Sequence, residues 1–301
     1  MSEEVLEKYM KAGEIACRVR KLAHAIVKPG MRVLELVERL ESEILSLGGK
    51  PAFPINVSIN EIAAHFTPPP HDTSVIPENS IVKIDIGVHI DGYIADTATT
   101  IVFDPRYERL AEAANAALEH AVKMLRPGVR FSEIGRVIEA TIRSYGYKPI
   151  LNLCGHSIDV YTIHAGEAIP NHYDLKNVGK LRNNRAYAIE PFATDGVGLV
   201  DETSVVTIYA LRYNPKKLKG LSLESQTFFN RVFRERRTLP FTPRWYITEV
   251  TNIDNILRQL SLAGLLTEYP VLVERTRGVV AQFEHTVVVY RNSIYVTTSS
   301  C

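Results

Sequence analysis

The chain has 301 residues, enough for one large domain or two small ones with a sizeable core. Hydrophobic residues make up 46% and charged residues 23%, an ordinary globular balance, and a net charge of +1 gives no electrostatic case for DNA or a membrane as partner. The opening MSEEVLEKYMKAGEIA is charged and helix-like rather than a signal peptide, and no apolar run reaches membrane-spanning length. Cys17, Cys154 and Cys301 are odd in number and far apart, so free thiols in a reducing cytosol (a cytoplasmic protein) are expected, not a disulfide frame.

Residues 3–28 carry Leu6, Met10, Ile15, Val19, Leu22 and Ile26 at helical spacing, and Pro29-Gly30 ends that helix. A second helix is expected over about 33–47, ended by Gly48-Gly49. Residues 29–51, PGMRVLELVERLESEILSLGGKP, then recur as 127–149, PGVRFSEIGRVIEATIRSYGYKP, with ten identities at a constant offset of 98. Pro-Gly and Gly-x-Lys-Pro stand at both ends of each copy, and a helical pattern precedes each, the second over about 105–125. Chance likeness of two amphipathic helices would not hold one ungapped register. The repeat predicts two α/β halves about a pseudo-twofold axis, their strands joined in one sheet, with a ligand site on the axis drawing residues from both.

Between the copies, IVKIDIGVHIDGYIADTATTIVF (81–103) reads as a hairpin with Asp91-Gly92 as its turn. A two-residue loop makes opposed residues sum to 183, so Asp96 faces Gly87 and Ala98 faces Asp85. Side chains alternate along a strand, which puts Asp85 and Asp96 on one face, a diagonal step apart. Two such carboxylates on an apolar ribbon are a pair of surface aspartates, or include one paired with an arginine, or are halves of a shared divalent-metal site.

The second half repeats the theme. His65 and His164 are 99 residues apart, almost the repeat offset. In GHSIDVYTIH, His156 and His164 would share a face if the strand were regular. Glu190 follows the apolar strand of AYAIEPF, much as Asp85 sits in KIDIG, and Glu284 opens the β-rich AQFEHTVVVY. Singly, each such His or Glu reads more readily as a core or salt-bridged residue. Residues 212–270 change character, with a basic loop holding Lys216, Lys217 and Lys219, helical patterns and the Pro-broken TLPFTPRW. They have no counterpart in the repeat and read as a small helical insertion. The three lysines read as a solvated face, with a ribosomal-RNA contact as the alternative.

Asp85, Asp96, His156, Glu190 and Glu284 together make four carboxylates and one imidazole, a hard donor set suited to a pair of carboxylate-bridged divalent ions. With AAHFTP, KIDIGVHIDGYIADTA, GHSIDVYTIHAG, YAIEPF and AQFEHT in that order, the whole chain resembles the methionine aminopeptidases of type 2, in the short archaeal form. The resemblance implies the α/β (α+β) pita-bread fold, with a catalytic domain over 1–211 and 271–301 around a central antiparallel sheet and an insertion over 212–270. It implies that Asp85 chelates one metal, that Asp96 and Glu284 bridge both, and that His156 and Glu190 hold the second. The ions would be Co²⁺, Mn²⁺, Fe²⁺ or Zn²⁺. It implies further that His65 and His164 flank the scissile bond, that a metal-bridged hydroxide attacks its carbonyl, that Glu190 carries the proton, and that Phe53, Ile163 and Tyr269 line a methionine pocket. The expected substrate is a nascent polypeptide whose initiator methionine precedes a small residue. The expected protein is a monomer, with a transient ribosome contact left open. Cys154, where relatives can carry Asn, suggests sensitivity to oxidation, and Asp159 adds a charge near His156. An X-Pro aminopeptidase or prolidase of the same fold, or a non-catalytic relative, are the alternatives; the immediate helical start and the five occupied positions argue against them.

Overall fold

The hydroxyl of Ser2 accepts from the amide of Val5 at 3.3 Å and caps α1, which runs over Glu3–Ile26 and buries Leu6, Ile15, Val19 and Ala23 along one stripe. The computed structural model describes residues 1–301. After α2 (Val33–Ser46) come β1 (Lys50–Pro51), β2 (Asn56–Ile59), β3 (Ile62–Ala64), β4 (Ile81–Ile90) and β5 (Tyr93–Val102). The second half opens with α3 (Glu108–Met124) and α4 (Phe131–Ser144), then β6 (Lys148–Pro149), β7 (Cys154–Ile158), β8 (Ala168–Pro170), β9 (Arg185–Ile189) and β10 (Phe192–Thr194). The long β11 (Val200–Leu211) leads into α5 (Pro215–Leu218), α6 (Leu223–Arg236) and α7 (Ile253–Leu262). Strands β12 (Leu266–Glu274), β13 (Val280–Gln282), β14 (His285–Tyr290) and β15 (Ser293–Val296) follow.

The sequence repeat is also a repeat of geometry. Gly30 and Gly128 have φ of 79° and 82°, and Gly48 and Gly146 have 81° and 89°, which is why glycine stands at both ends of each copy. The amide of Gly30 donates to Ile76 and that of Gly128 to Leu181, each at 2.8 Å. Strand β1 pairs with β4 as β6 pairs with β10. In the first half α1 and α2 pack Val19, Leu36 and Leu40 against Val57, Ile84 and Ile86. In the second, α3 and α4 pack Ala114, Ile134 and Ile138 against Tyr187, Ile189 and Val287. Full burial of one such Leu or Ile is worth about 1.5–3 kcal/mol.

The hairpin has the expected register, with Asp85 opposite Ala98 and Gly87 opposite Asp96. Asp91 and Gly92 both take positive φ, 51° and 88°, as a two-residue turn between twisted strands requires. The single sheet expected of the repeat is instead four antiparallel sheets. The halves meet at a seam where β4 and β5 face β13 and β14. The backbone bonds across that seam are isolated, such as Glu284 N to Ala98 O at 3.1 Å. Side chains add to them, Thr97 donating to Glu284 O at 2.8 Å, Thr100 to Gln282 O at 2.6 Å and the buried Lys83 Nζ to Val280 O at 2.8 Å.

The cysteine expectation fails. Cys17 and Cys301 form a disulfide with Cα atoms 5.9 Å apart, leaving only Cys154 free. Their separation of 284 residues along the chain hid the fact that residues 297–301 return to lie beside α1. No helix is long and apolar enough to cross a membrane.

Helices α5–α7 have a core of their own, including Phe229, Val232, Ile256 and Leu260. Strand pairing starts at Leu211–Leu266, so residues 266–270, expected as the end of the helical piece, are strand. Arg236 Nη2 ties this helical cluster to the first half by donating to the Pro51 carbonyl at 2.7 Å, and a buried carboxylate on α2 adds a second anchor. Glu41 accepts from Arg244 Nη1 and Nη2 at 3.0 and 2.9 Å, from Trp245 Nε1 at 2.8 Å and from the Ile55 amide at 3.4 Å. The Glu41 and Arg244 side chains are 9% and 6% exposed, so removing the carboxylate strands a buried guanidinium. Glu41→Ala should therefore destabilise the protein by about 3–5 kcal/mol in urea unfolding, well beyond the ~1 kcal/mol of a surface pair. A loss under about 1 kcal/mol would show that the Arg244 charge finds water instead.

Candidate active site

Every ligand and substrate residue that the sequence singled out lines one cavity of about 410 Å³, the four carboxylates Asp85, Asp96, Glu190 and Glu284 together with His156, His65 and His164. Phe53, Ile163 and Tyr269 lie in the same wall. The hairpin brings Asp85 and Asp96 to one face, a diagonal step apart in the β4–β5 register. Glu284 sits in the break between β13 and β14, and Glu190 just beyond the end of β9. His156 Nε2 is 3.4 Å from Glu190 Oε1 and 3.7 Å from Asp96 Oδ2.

His156 and His164 do meet, with ring centroids 4.4 Å apart, but not along a regular strand. Strand β7 ends at Ile158, and a tight turn closed by Asp159 N to Thr162 O at 2.9 Å folds the chain back. His65 and Tyr269 pack edge to face at 5.5 Å, with His164 6.0 Å from the same tyrosine ring. His65 holds φ at 66°, a conformation uncommon outside glycine, and its Nδ1 lies 3.2 Å from Pro270 O. That carbonyl needs a donor, which puts the His65 proton on Nδ1 and leaves Nε2 as an acceptor. Burial pushes His65 down to about 4, helped by the neighbouring His164, and burial also lowers His164, so both rings are neutral at pH 7.

The carboxylates move the other way. Burial pushes Asp85 up to about 7. Burial first, and then the charges of Asp85 and Glu190, hold Asp96 well above the usual range. Glu190 and Glu284 are raised for the same reasons. Four acids, Asp96 and Glu284 buried and Asp85 and Glu190 half-buried, cannot all ionise in one cavity without a cation. Asp85 Oδ1, Asp96 Oδ1 and Glu284 Oε1 are buried with no hydrogen-bond partner at all. Asp96, His156 and Glu284 each offer a donor atom within 4.8 Å of the others. Orphaned oxygens beside an imidazole fit a divalent metal.

Two expectations about neighbours change. Burial pushes the Cys154 thiol up to about 11, seconded by the Glu190 charge, so it carries almost no thiolate and the implied sensitivity to oxidation is weak. Asp159 lies outside the cavity, on the surface turn, 3.7 Å from Arg185. Asn56 and Gln282 line the cavity without having been singled out. Their only sequence signals are position, Asn56 opposite Asp85 in the β2–β4 register and Gln282 two before Glu284.

The sequence model of metallopeptidase family M24 matches residues 7–291. The chain is 46% identical over 303 residues to a methionine aminopeptidase of Saccharolobus solfataricus, covering all of both chains. Among solved structures, a thermophilic Arx1 has a TM-score of 0.85 at 18% identity, covering 99% of this chain and 91% of that one. A methionine aminopeptidase from Thermotoga maritima has a TM-score of 0.72 at 21% identity, covering 99% and 98%. These two share the pita-bread fold. The chain belongs to metallopeptidase family M24. It is a metal-dependent aminopeptidase of the archaeal type and removes the N-terminal methionine of polypeptides.

Proposed function

We propose that Asp85, Asp96, His156, Glu190 and Glu284 would hold two divalent ions, with Asp96 and Glu284 the ligands that both would share, and that the enzyme acts on chains whose second residue is small. One observation carries the reading. Four carboxylates and an imidazole converge in one buried cavity, and three of the carboxylate oxygens have no other partner. Bound ions supply a water of lowered pKa and polarise the scissile carbonyl.

The chain's own groups do the rest. Glu190, half-buried at the cavity wall beside His156, is placed to take a proton from water and pass it to the leaving amine. His65 and His164, both neutral, would flank the scissile bond, with His65 Nε2 free to accept from a substrate amide. Phe53, Ile163 and Tyr269 give apolar walls that suit a flexible thioether. Gly87 leaves room for that arrangement, since a Cβ there would overlap the Phe53 ring. Gly87→Ala should push the ring into the pocket and raise KM for methionyl peptides about tenfold, roughly 1.4 kcal/mol, with kcat less affected. An unchanged KM would remove Phe53 from the pocket wall. Residues 212–265 form an inserted helical subdomain in this reading, and exposed Lys216, Lys217 and Lys219 are its candidate ribosome contact.

The deciding experiment is hydrolysis of Met-Ala-Ser after chelation, with Mn²⁺, Co²⁺, Fe²⁺ or Zn²⁺ added back, beside X-Pro and Leu-initiated peptides and a Met-Trp-Ser control. Metal-restored release of methionine before alanine supports the reading. Preferred cleavage before proline would move the enzyme to the prolidase branch.

A further inference from the structure

The two carboxylates proposed to bridge the ions, Asp96 and Glu284, come from opposite sides of the seam between the halves. Their separation therefore depends on what holds that seam, and few ladder bonds are available there. Behind Asp96, Thr286 Oγ1 accepts from the Asp96 amide at 2.7 Å and donates to the Asp96 carbonyl at 2.8 Å. Thr286 is held in turn, its amide donating to Thr298 Oγ1 at 3.2 Å. Behind Glu284, the Thr97 hydroxyl donates to the Glu284 carbonyl at 2.8 Å.

Both chains of bonds end on the same side chain. Arg20, partly buried on α1, donates through Nη1 to Thr97 Oγ1 and through Nη2 to the Thr298 carbonyl at 2.9 Å. Nη1 also lies 3.4 Å from His285 Nδ1, which is 2.8 Å from Thr298 Oγ1. A guanidinium only donates, so Thr97 Oγ1 must accept from it and turn its own hydrogen to Glu284. One face of α1 is shaped for the 297–301 segment that completes this frame. Gly13 leaves space that a Cβ would take from Thr297, Cys17 is bonded to Cys301, and Lys21 Nζ donates to the Cys301 carbonyl at 2.8 Å.

We propose that Arg20 is a positioning residue for the metal centre, fixing the backbones of Asp96 and Glu284 relative to each other through Thr97 on one side and Thr298–Thr286 on the other. The inference rests on the ligand reading above. Arg20 touches no reacting atom; it sets the bite of the two carboxylates that must face both ions. Groups that hydrogen-bond behind metal ligands typically govern affinity by about 10–100-fold, and they do so without changing the ligands themselves.

The test compares Arg20→Met, Arg20→Lys and His24→Ala. His24, one turn along the same face, bonds Thr99 Oγ1 at 2.7 Å, an equivalent helix-to-β5 contact with no link to Glu284 or Asp96. Mn²⁺ affinity and stoichiometry are read by calorimetry, and ligand geometry by the visible ligand-field absorption of the Co²⁺-loaded protein. Arg20→Met should weaken Mn²⁺ binding about tenfold or more, alter the Co²⁺ spectrum and lower kcat with KM nearly constant. Arg20→Lys should recover part of the affinity, because one ammonium can reach one of the two acceptors. His24→Ala should lose comparable stability and keep wild-type affinity and spectrum. Wild-type affinity and spectrum in Arg20→Met, or equal losses in Arg20→Met and His24→Ala, would overturn the proposal. Failure of the ligand reading looks different, since the wild-type protein itself would then bind Mn²⁺ no better than Glu284→Gln.

Discussion

Glu284→Gln should reduce kcat/KM for Met-Ala-Ser by at least about 10³-fold, about 4 kcal/mol of transition-state stabilisation. Glutamine keeps the volume and one carbonyl oxygen but cannot carry the charge that two ions would share. The same substitution should leave the metal-free protein as stable as wild type, or slightly more so. Glu284 is 1% exposed and its carboxyl is raised by burial and by Asp96, Glu190 and Asp85, so without metal its neutral form is favoured and a neutral amide is a near mimic of that form. Activity assays and melting curves on chelated protein check both halves of this expectation. A Gln variant that retains a tenth of the activity would show that Glu284 bridges nothing. One that loses activity and unfolds as well would show a structural carboxylate. The opposite signs of the two effects mark a site built against the fold's own stability.

That conflict was visible in the sequence where it was local. Asp85 and Asp96 could be placed on one face because a two-residue turn fixes register and strands alternate, and the register is the observed one. The repeat was legible because glycines at positive φ and Pro-Gly ends recur at one offset. What could not be read depends on distant packing. His156 and His164 meet through a turn at Asp159–Thr162, where spacing alone suggested a continuous strand. Cys17 and Cys301 meet because the chain returns beside α1. Arg20 looks like any polar residue on an amphipathic helix, and Glu41 like its exposed neighbours, until the seam and the helical cluster are folded against them. Periodicity records which face is buried, but a buried polar partner from a distant segment leaves no period.

Chelation should make the protein lose stability as pH rises, the reverse of ordinary acid denaturation. The sign follows from the direction of the shifts. In the metal-free fold Asp85 is raised to about 7, and Asp96, Glu190 and Glu284 are raised as well. The folded state then binds more protons than the unfolded chain, whose carboxyls titrate near 4. The resulting stabilisation is fully present below about pH 4 and is lost as pH climbs through about 7 for Asp85, the other three adding to the loss in the same direction. At about 1.4 kcal/mol per pH unit over about three pH units, Asp85 alone accounts for something on the order of 4 kcal/mol. Loading with Mn²⁺ should remove that penalty, because the ions replace the protons. The melting temperatures of chelated and loaded protein should therefore converge near pH 5 and separate steadily toward pH 8, with metal affinity weakening in parallel at the acid end. Parallel curves across that range would mean that the acids find counter-charge within the protein itself. Diverging curves would show that the cavity is held open for its ions at the cost of the metal-free fold, and that at neutral pH the cation is as much a part of this structure as the seam it sits on.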